Sequence, residues 1–173
     1  MNNLIIRSLT GIVFVLVIVG SVIGGPWIFA TLFLLISMFT QLEFYRLISK
    51  GEHKTQMYIG MGSGIFLYGT LAASAPGLGL AGHHIILLNL IPLALIFISA
   101  LYAESANPFA DIGITLTGIL YIAMPFGLLN YFYTTALFLH EANYGILLGF
   151  FLIIWLNDTF AYLVGSVIGK HHL

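Results

Sequence analysis

Polar and apolar positions along this chain fall into long blocks, not into short helical or strand periods. No Asp, Glu, Lys or Arg stands between Arg7 and Glu43, or between Lys54 and Glu104. A third such block runs from Asp111 to Glu141, and a fourth from Glu141 to Lys170 is broken only by Asp158. A membrane-spanning helix needs about 20 mostly apolar residues at about 1.5 Å each. The first two blocks are long enough for two spans apiece and the last two for one, so the pattern predicts six helices. Gly24-Gly25-Pro26 divides the first block, because proline starts a helix more readily than it continues one. Pro76-Gly77-Leu78-Gly79, followed by Gly82-His83-His84, divides the second. The predicted spans are 5–24, 27–48, 57–75, 85–102, 112–133 and 144–168. Pro92 and Pro125 then fall inside the fourth and fifth, where each is read as a kink. The alternative is that one of them marks a break lining a cavity.

Composition removes the competing classes. Residues of the AVILMFWYC set make up 60% and charged residues 6%, against about a quarter charged in an average soluble domain. That excludes a water-soluble globule, which needs polar side chains for its surface, and it excludes disorder, which needs low hydrophobicity. A net charge of −1 leaves no basic stripe for nucleic acid. The absence of cysteine excludes disulfides, thiolate nucleophiles and cysteine-ligated zinc. The expected fold is all-α: a polytopic membrane helix bundle forming a single transmembrane domain over 1–173.

Charge placement orients it. With the amino terminus cytoplasmic, the inner segments are 1–4, 49–56, 103–111 and 169–173. Arg7, Arg46, Lys50, Lys54 and Lys170 all lie on or beside these, while the turns around Gly25, Gly79 and Glu141 carry no basic residue. This is the positive-inside pattern, and it puts both termini in the cytoplasm. Arg7 followed by Gly11 to Val19 has the outline of a signal peptide. No small-x-small cleavage site follows, so the first span is read as a retained helix.

Gly20/Gly24, Gly60/Gly64, Gly145/Gly149 and Gly165/Gly169 stand four apart, a spacing that lets helix backbones approach closely in lipid. Packing within one bundle is the first reading and a homodimer the second. No glycine-rich phosphate loop is present, and the helical hairpins share no inverted repeat.

Asp158 is the leading candidate for chemistry. It stands in Asn157-Asp158-Thr159-Phe160-Ala161-Tyr162, two-thirds along an otherwise apolar helix, where a carboxylate costs several kcal/mol unless protein, water or metal receives it. In a helix Asp158, Tyr162 and Gly165 share a face, with Asn157 and Ala161 beside it. That face ends near Lys170 and His171 and reads as a polar seam into a cytoplasm-facing cavity. The structural alternative is an Asp hydrogen-bonded to a neighbouring helix, or protonated. Glu43 and Arg46, three apart, suit an ion pair at headgroup level with a structural role. Glu104 and Asp111 read as ordinary inner-loop acids. His83-His84 and His140-Glu141 read as solvated groups on the outer face, and the tryptophans and tyrosines as interfacial belts.

The stretch Trp155 to Leu173, WLNDTFAYLVGSVIGKHHL, resembles the segment preceding the signature of phosphatidate cytidylyltransferases, the CDP-diacylglycerol synthases. Arg7 to Gly11 and Glu43 to Leu47 are also similar to their family counterparts. Ser166 stands where many members have Arg, and His172 where many have Lys. The family continues into a basic segment and a later Asp-rich signature, so the 173 residues read as its amino-terminal part, expected to be inactive alone. The resemblance implies a bacterial inner-membrane enzyme that uses Mg²⁺ to join CTP and phosphatidate at the cytoplasmic face. The lipid phosphate attacks the α-phosphorus of CTP, pyrophosphate leaves and CDP-diacylglycerol forms. It implies Asp158 as catalytic group and metal ligand, with Asn157, Tyr162, Lys170 and His171 contacting substrate. Two other readings stand beside it: a small transporter or proton-coupled channel using Asp158, and a non-catalytic membrane scaffold.

Overall fold

The structure, a computed structural model, describes residues 2–49, 56–103, 105, 107–134 and 144–168. All regular structure among them is helical: α1 (Asn2–Ile23), α2 (Pro26–Ile48), α3 (Met57–Ser74), a 3₁₀ segment (His83–Asn89) leading into α4 (Leu90–Tyr102), α5 (Pro108–Gly118), one π turn (Ile119–Ala123), α6 (Met124–Thr134) and α7 (Gly145–Ile168). Because α5, the π turn and α6 run on as one rod, these are six rods in the positions the charge-free blocks predict. Between the first two rods Gly25 has φ 113°, a conformation L residues rarely adopt, and Pro26 opens α2.

The two internal prolines behave differently from plain kinks. Pro92 is the third residue of α4, after the 3₁₀ segment. A first-turn N–H has no partner within its helix, so proline sits there without breaking anything. Pro125 lies inside the fifth rod as expected, although that rod starts at Pro108 rather than at 112. Its ring would collide with the carbonyl four residues back in a regular helix. The chain answers with the π turn just before it, where the Met124 N–H reaches the Ile119 carbonyl.

Helix α3 is the axis of the bundle, packed by α2, α4, α5, the π turn and α6. Hydrogen bonds show which levels meet. Tyr133 Oη donates to Val22 O at 2.8 Å, Tyr68 Oη donates to Ala30 O at 2.8 Å, and Ser74 and Tyr131 share a hydroxyl pair at 2.6 Å, all at one end. At the other end α2, α3 and α5 meet around Gln41 and Tyr45. An aromatic cluster of Phe29, Phe33, Tyr133 and Phe151 joins α2, α6 and α7, with Ile18 and Val22 of α1 beside it. A second cluster of Ile96, Ala100, Ile112 and Ile119 joins α4 to α5 and the π turn.

Among the described residues four helical stretches are long and apolar enough to cross a membrane: Pro26–Ile48, His83–Tyr102, Pro108–Tyr133 and Gly145–Tyr162. Helix α3 is not one of them. Its run of Gly, Ser and Thr suits a helix enclosed by other helices, where small residues allow close approach and lipid solubility is not needed. Gly60 and Gly64 lie buried against Tyr45 and Gln41, which is packing inside the bundle. Gly20, Gly149 and Gly165 instead face open space.

Candidate functional site

Helix α7 is held by its first half. Leu147 is fully buried and Phe151 nearly so, with the Phe151 ring 5.7 Å from Phe33 and stacked on Trp155 at 5.9 Å. The helix packs on α6 and α1 through these residues. Past Trp155 the side chains of Asn157, Asp158, Thr159 and Tyr162 are exposed. Thr159 Oγ1 donates back to Trp155 O at 2.7 Å, so its hydroxyl is spent on its own helix. Asp158 and Tyr162 thus sit one turn apart on an uncovered stretch, with Asn157 next to them. The other expected members, Lys170 and His171, lie outside the described residues, as does His172.

The carboxylate of Asp158 stands without the company a metal requires. Mg²⁺ asks for near-octahedral oxygen coordination. Among the described residues there is no group of three or more His, Asp or Glu that could hold a metal ion. These residues therefore do not by themselves fit a magnesium site.

Sequence reasoning missed Asp111. It is 3% exposed, not an ordinary loop acid. Pro108 opens α5, which places Asp111 in its first turn, where the helix dipole favours a carboxylate. Ser105 Oγ donates to Asp111 Oδ2 at 2.5 Å, and Thr115 Oγ1 donates to the Asp111 carbonyl at 2.8 Å. Asn107-Pro108 as a helix start was the signal that could have found it. One turn on, the Thr115 carbonyl receives the Tyr45 hydroxyl at 2.7 Å. Gln41 Nε2 donates to Tyr45 Oη at 3.2 Å and to Gly60 O at 3.0 Å. A Cβ on Gly60 or Gly118 would meet the Tyr45 ring or hydroxyl at 2.5 Å, so both positions must be glycine for the tyrosine to enter.

The ion pair expected between Glu43 and Arg46 is not formed. Both are exposed and border a shallow depression with Phe39, Leu42 and Leu47. An exposed pair gains too little to hold two long side chains together. His83 and His84 are exposed as expected, with the His83 ring edge-on to Tyr131 at 6.2 Å. Glu104, His140 and Glu141 lie outside the described residues, as do Lys50 and Lys54.

Asn157-Asp158-Thr159 thus stands on an apolar helix with Tyr162 one turn on. Residues 5–173 match the model of the cytidylyltransferase family. The chain belongs to that family. No curated protein matches it, and no solved structure does. Membership in the cytidylyltransferase family makes a nucleotidyltransferase the class of this protein, and the four long apolar helices among its described residues fit a membrane protein.

Proposed function

We propose that this protein transfers the cytidylyl group of CTP to phosphatidate within a membrane, with its active face cytoplasmic. A phosphate oxygen of phosphatidate forms a bond to the α-phosphorus of CTP, the bond to the β-phosphate bridge breaks, and pyrophosphate leaves with CDP-diacylglycerol as product. The observation that carries the reading is an exposed carboxylate inside an apolar candidate span of a chain that belongs to the cytidylyltransferase family. A lipid phosphate is confined to the headgroup level and CTP to water, so an enzyme joining them needs polar groups at a membrane face. Asp158, a little past the middle of α7, with Asn157 and Tyr162, supplies such a set in the half of the helix that precedes Lys170 in the sequence.

Bringing two anions together calls for positive charge, and a divalent cation is the usual source. We propose Asp158 as one oxygen ligand of such a cation, insufficient by itself to complete the coordination, and Asn157, Tyr162, Lys170 and His171 as the residues that contact substrate phosphate or base. The basic residues, which lie in the sequence on or beside the segments expected to face the cytoplasm, support a cytoplasmic site in a bacterial inner membrane. Family membership is what favours this over a transporter using the same acid.

The test is CTP-dependent conversion of phosphatidate in membranes carrying the full-length protein, followed with CTP labelled at the α-phosphorus. Label should pass to the lipid fraction and pyrophosphate should appear in equal amount. Label entering lipid equally well without added phosphatidate, or remaining wholly in water, would overturn the lipid acceptor assignment.

A further inference from the structure

Glu43 and Arg46, which the sequence suits for an ion pair, stand apart and border one depression. They lie in the last two turns of α2, and with Phe39, Leu42 and Leu47 they edge a space of about 480 Å³. Both side chains are exposed, and neither has a hydrogen-bond or ion-pair partner in the structure.

The bundle fixes which way this face looks. Positions 39, 42, 43, 46 and 47 fall on one side of α2 at helical spacing, while Ser37, Gln41 and Tyr45 on the other side are buried. Gln41 and Tyr45 are bonded to α3 and α5, which holds the backbone carrying the two charges. The depression therefore looks away from the core. Helix α2 is long and apolar enough to span a membrane, and the charges stand near its end, at headgroup level. The neighbour there is a lipid headgroup.

Headgroups differ in what they offer this pair. An anionic headgroup suits Arg46 and is repelled by Glu43. A choline headgroup matches both charges, but its quaternary nitrogen has no N–H to give the carboxylate. A primary ammonium brings three donors, and its phosphate lies one ethylene unit away. Side chains three apart on a helix have Cβ atoms about 5–6 Å apart, a span that such a headgroup bridges. Leu42 and Phe39, one and two turns from Arg46 toward the middle of the span, are placed to meet the start of an acyl chain.

We infer that this depression binds a zwitterionic phospholipid with a primary ammonium headgroup, an ethanolamine lipid, its phosphate on Arg46 and its ammonium on Glu43. Asp158 does not border the site, which does not depend on the transfer reaction proposed above. Lys50 and Lys54 follow α2 in the sequence, so an anionic lipid is the competing occupant.

The probes are ethanolamine, choline and glycerol phospholipids with identical acyl chains, titrated into the intact protein in detergent, with the first bound lipid read by native mass spectrometry. The ethanolamine lipid should bind at least threefold more tightly than either of the others. Glu43→Gln should bring it down to the choline lipid, and Arg46→Gln should weaken it at least threefold. Both side chains are exposed and unbonded, so the unfolding midpoint should hold in each variant. In the unmodified protein, an ethanolamine lipid with a diazirine near its glycerol should leave adducts on Phe39 and Leu42 that the unlabelled lipid competes away. Tightest binding of the glycerol lipid would show a basic surface instead and overturn the site, as would equal binding of all three. Adducts spread evenly over exposed residues of α4, such as Leu95 and Ile98, would overturn it too, whatever the variants do.

Discussion

The Tyr45 hydroxyl donates to the Thr115 carbonyl at 2.7 Å, joining α2 to α5 across 70 positions of sequence. The same oxygen accepts from Gln41 Nε2, which in turn bonds Gly60 O of α3. Three helices are thereby pinned at one level, and one turn from Thr115 the chain carries its buried acid, Asp111. Lipid offers these groups no competing water, so a single tyrosine sets how closely α2, α3 and α5 approach.

Tyr45→Phe removes that pin while keeping the ring. Helix–helix hydrogen bonds in membranes are worth about 0.6 kcal/mol on average and up to about 1.7. The Thr115 carbonyl still receives the Ile119 N–H, so it is not orphaned. The expected loss is therefore about 1 kcal/mol, read as a lower midpoint in a detergent unfolding titration. An unchanged or raised midpoint would show that the bond contributes nothing net.

Gly118→Ala and Gly149→Ala are matched substitutions with opposite surroundings. A Cβ at Gly118 meets Tyr45 ring atoms at 2.5 Å, whereas at Gly149 nothing lies within 4 Å. Overpacking a tight core costs about 1–3 kcal/mol, whereas Gly→Ala at an open helical site gains about 0.8 to 1 kcal/mol from propensity alone. Gly118→Ala should destabilise by the larger figure and Gly149→Ala should not destabilise at all. Pairing Gly118→Ala with Tyr45→Leu should recover part of the loss, since the ring that the methyl strikes is then absent.

Much of this fold is written in the spacing of charges. Arg7, Glu43, Lys54, Glu104, Asp111, Glu141 and Lys170 fence off apolar stretches whose lengths fit six rods. The prolines were legible as irregularities but not as to kind. Whether Pro125 bends a helix or induces a π turn depends on what its neighbours can accept, and that is a property of packing. The burial of Asp111 was hidden for a similar reason: an acid near a predicted loop is solvated unless a Ser105 is folded back onto it. Asp158 was visible because an acid in an apolar run is rare, whereas its exposed position past Trp155 depends on where α7 leaves the bundle.

Ser105→Ala tests that burial. The hydroxyl donates to Asp111 Oδ2 at 2.5 Å, and a hydrogen bond to a buried carboxyl group is worth about 1–3 kcal/mol. The variant should unfold at lower detergent fraction, and Ser105→Thr, which keeps the hydroxyl, should hold closer to the parent. Equal losses for both would mean that shape, not the donor, holds the loop against α5.

Asp158→Asn separates chemistry from folding. Among the described residues the Asp158 side chain is exposed, and α7 is anchored by Leu147, Phe151 and Trp155 instead. Removing the charge at nearly constant shape should change stability by no more than about 0.5 kcal/mol. If the carboxylate takes part in positioning the reacting phosphates, transfer from CTP should fall by at least about 100-fold, the scale seen when one preorganised electrostatic group is lost. Asp158→Glu keeps the charge on a longer arm and should fall less than Asp158→Asn. Tyr162→Phe, one turn away, should raise the KM for CTP or lipid more than it lowers kcat, since it is proposed to bind and not to react. Turnover retained in Asp158→Asn with an unchanged unfolding midpoint would remove this residue from the site, and a collapsed midpoint would make it structural.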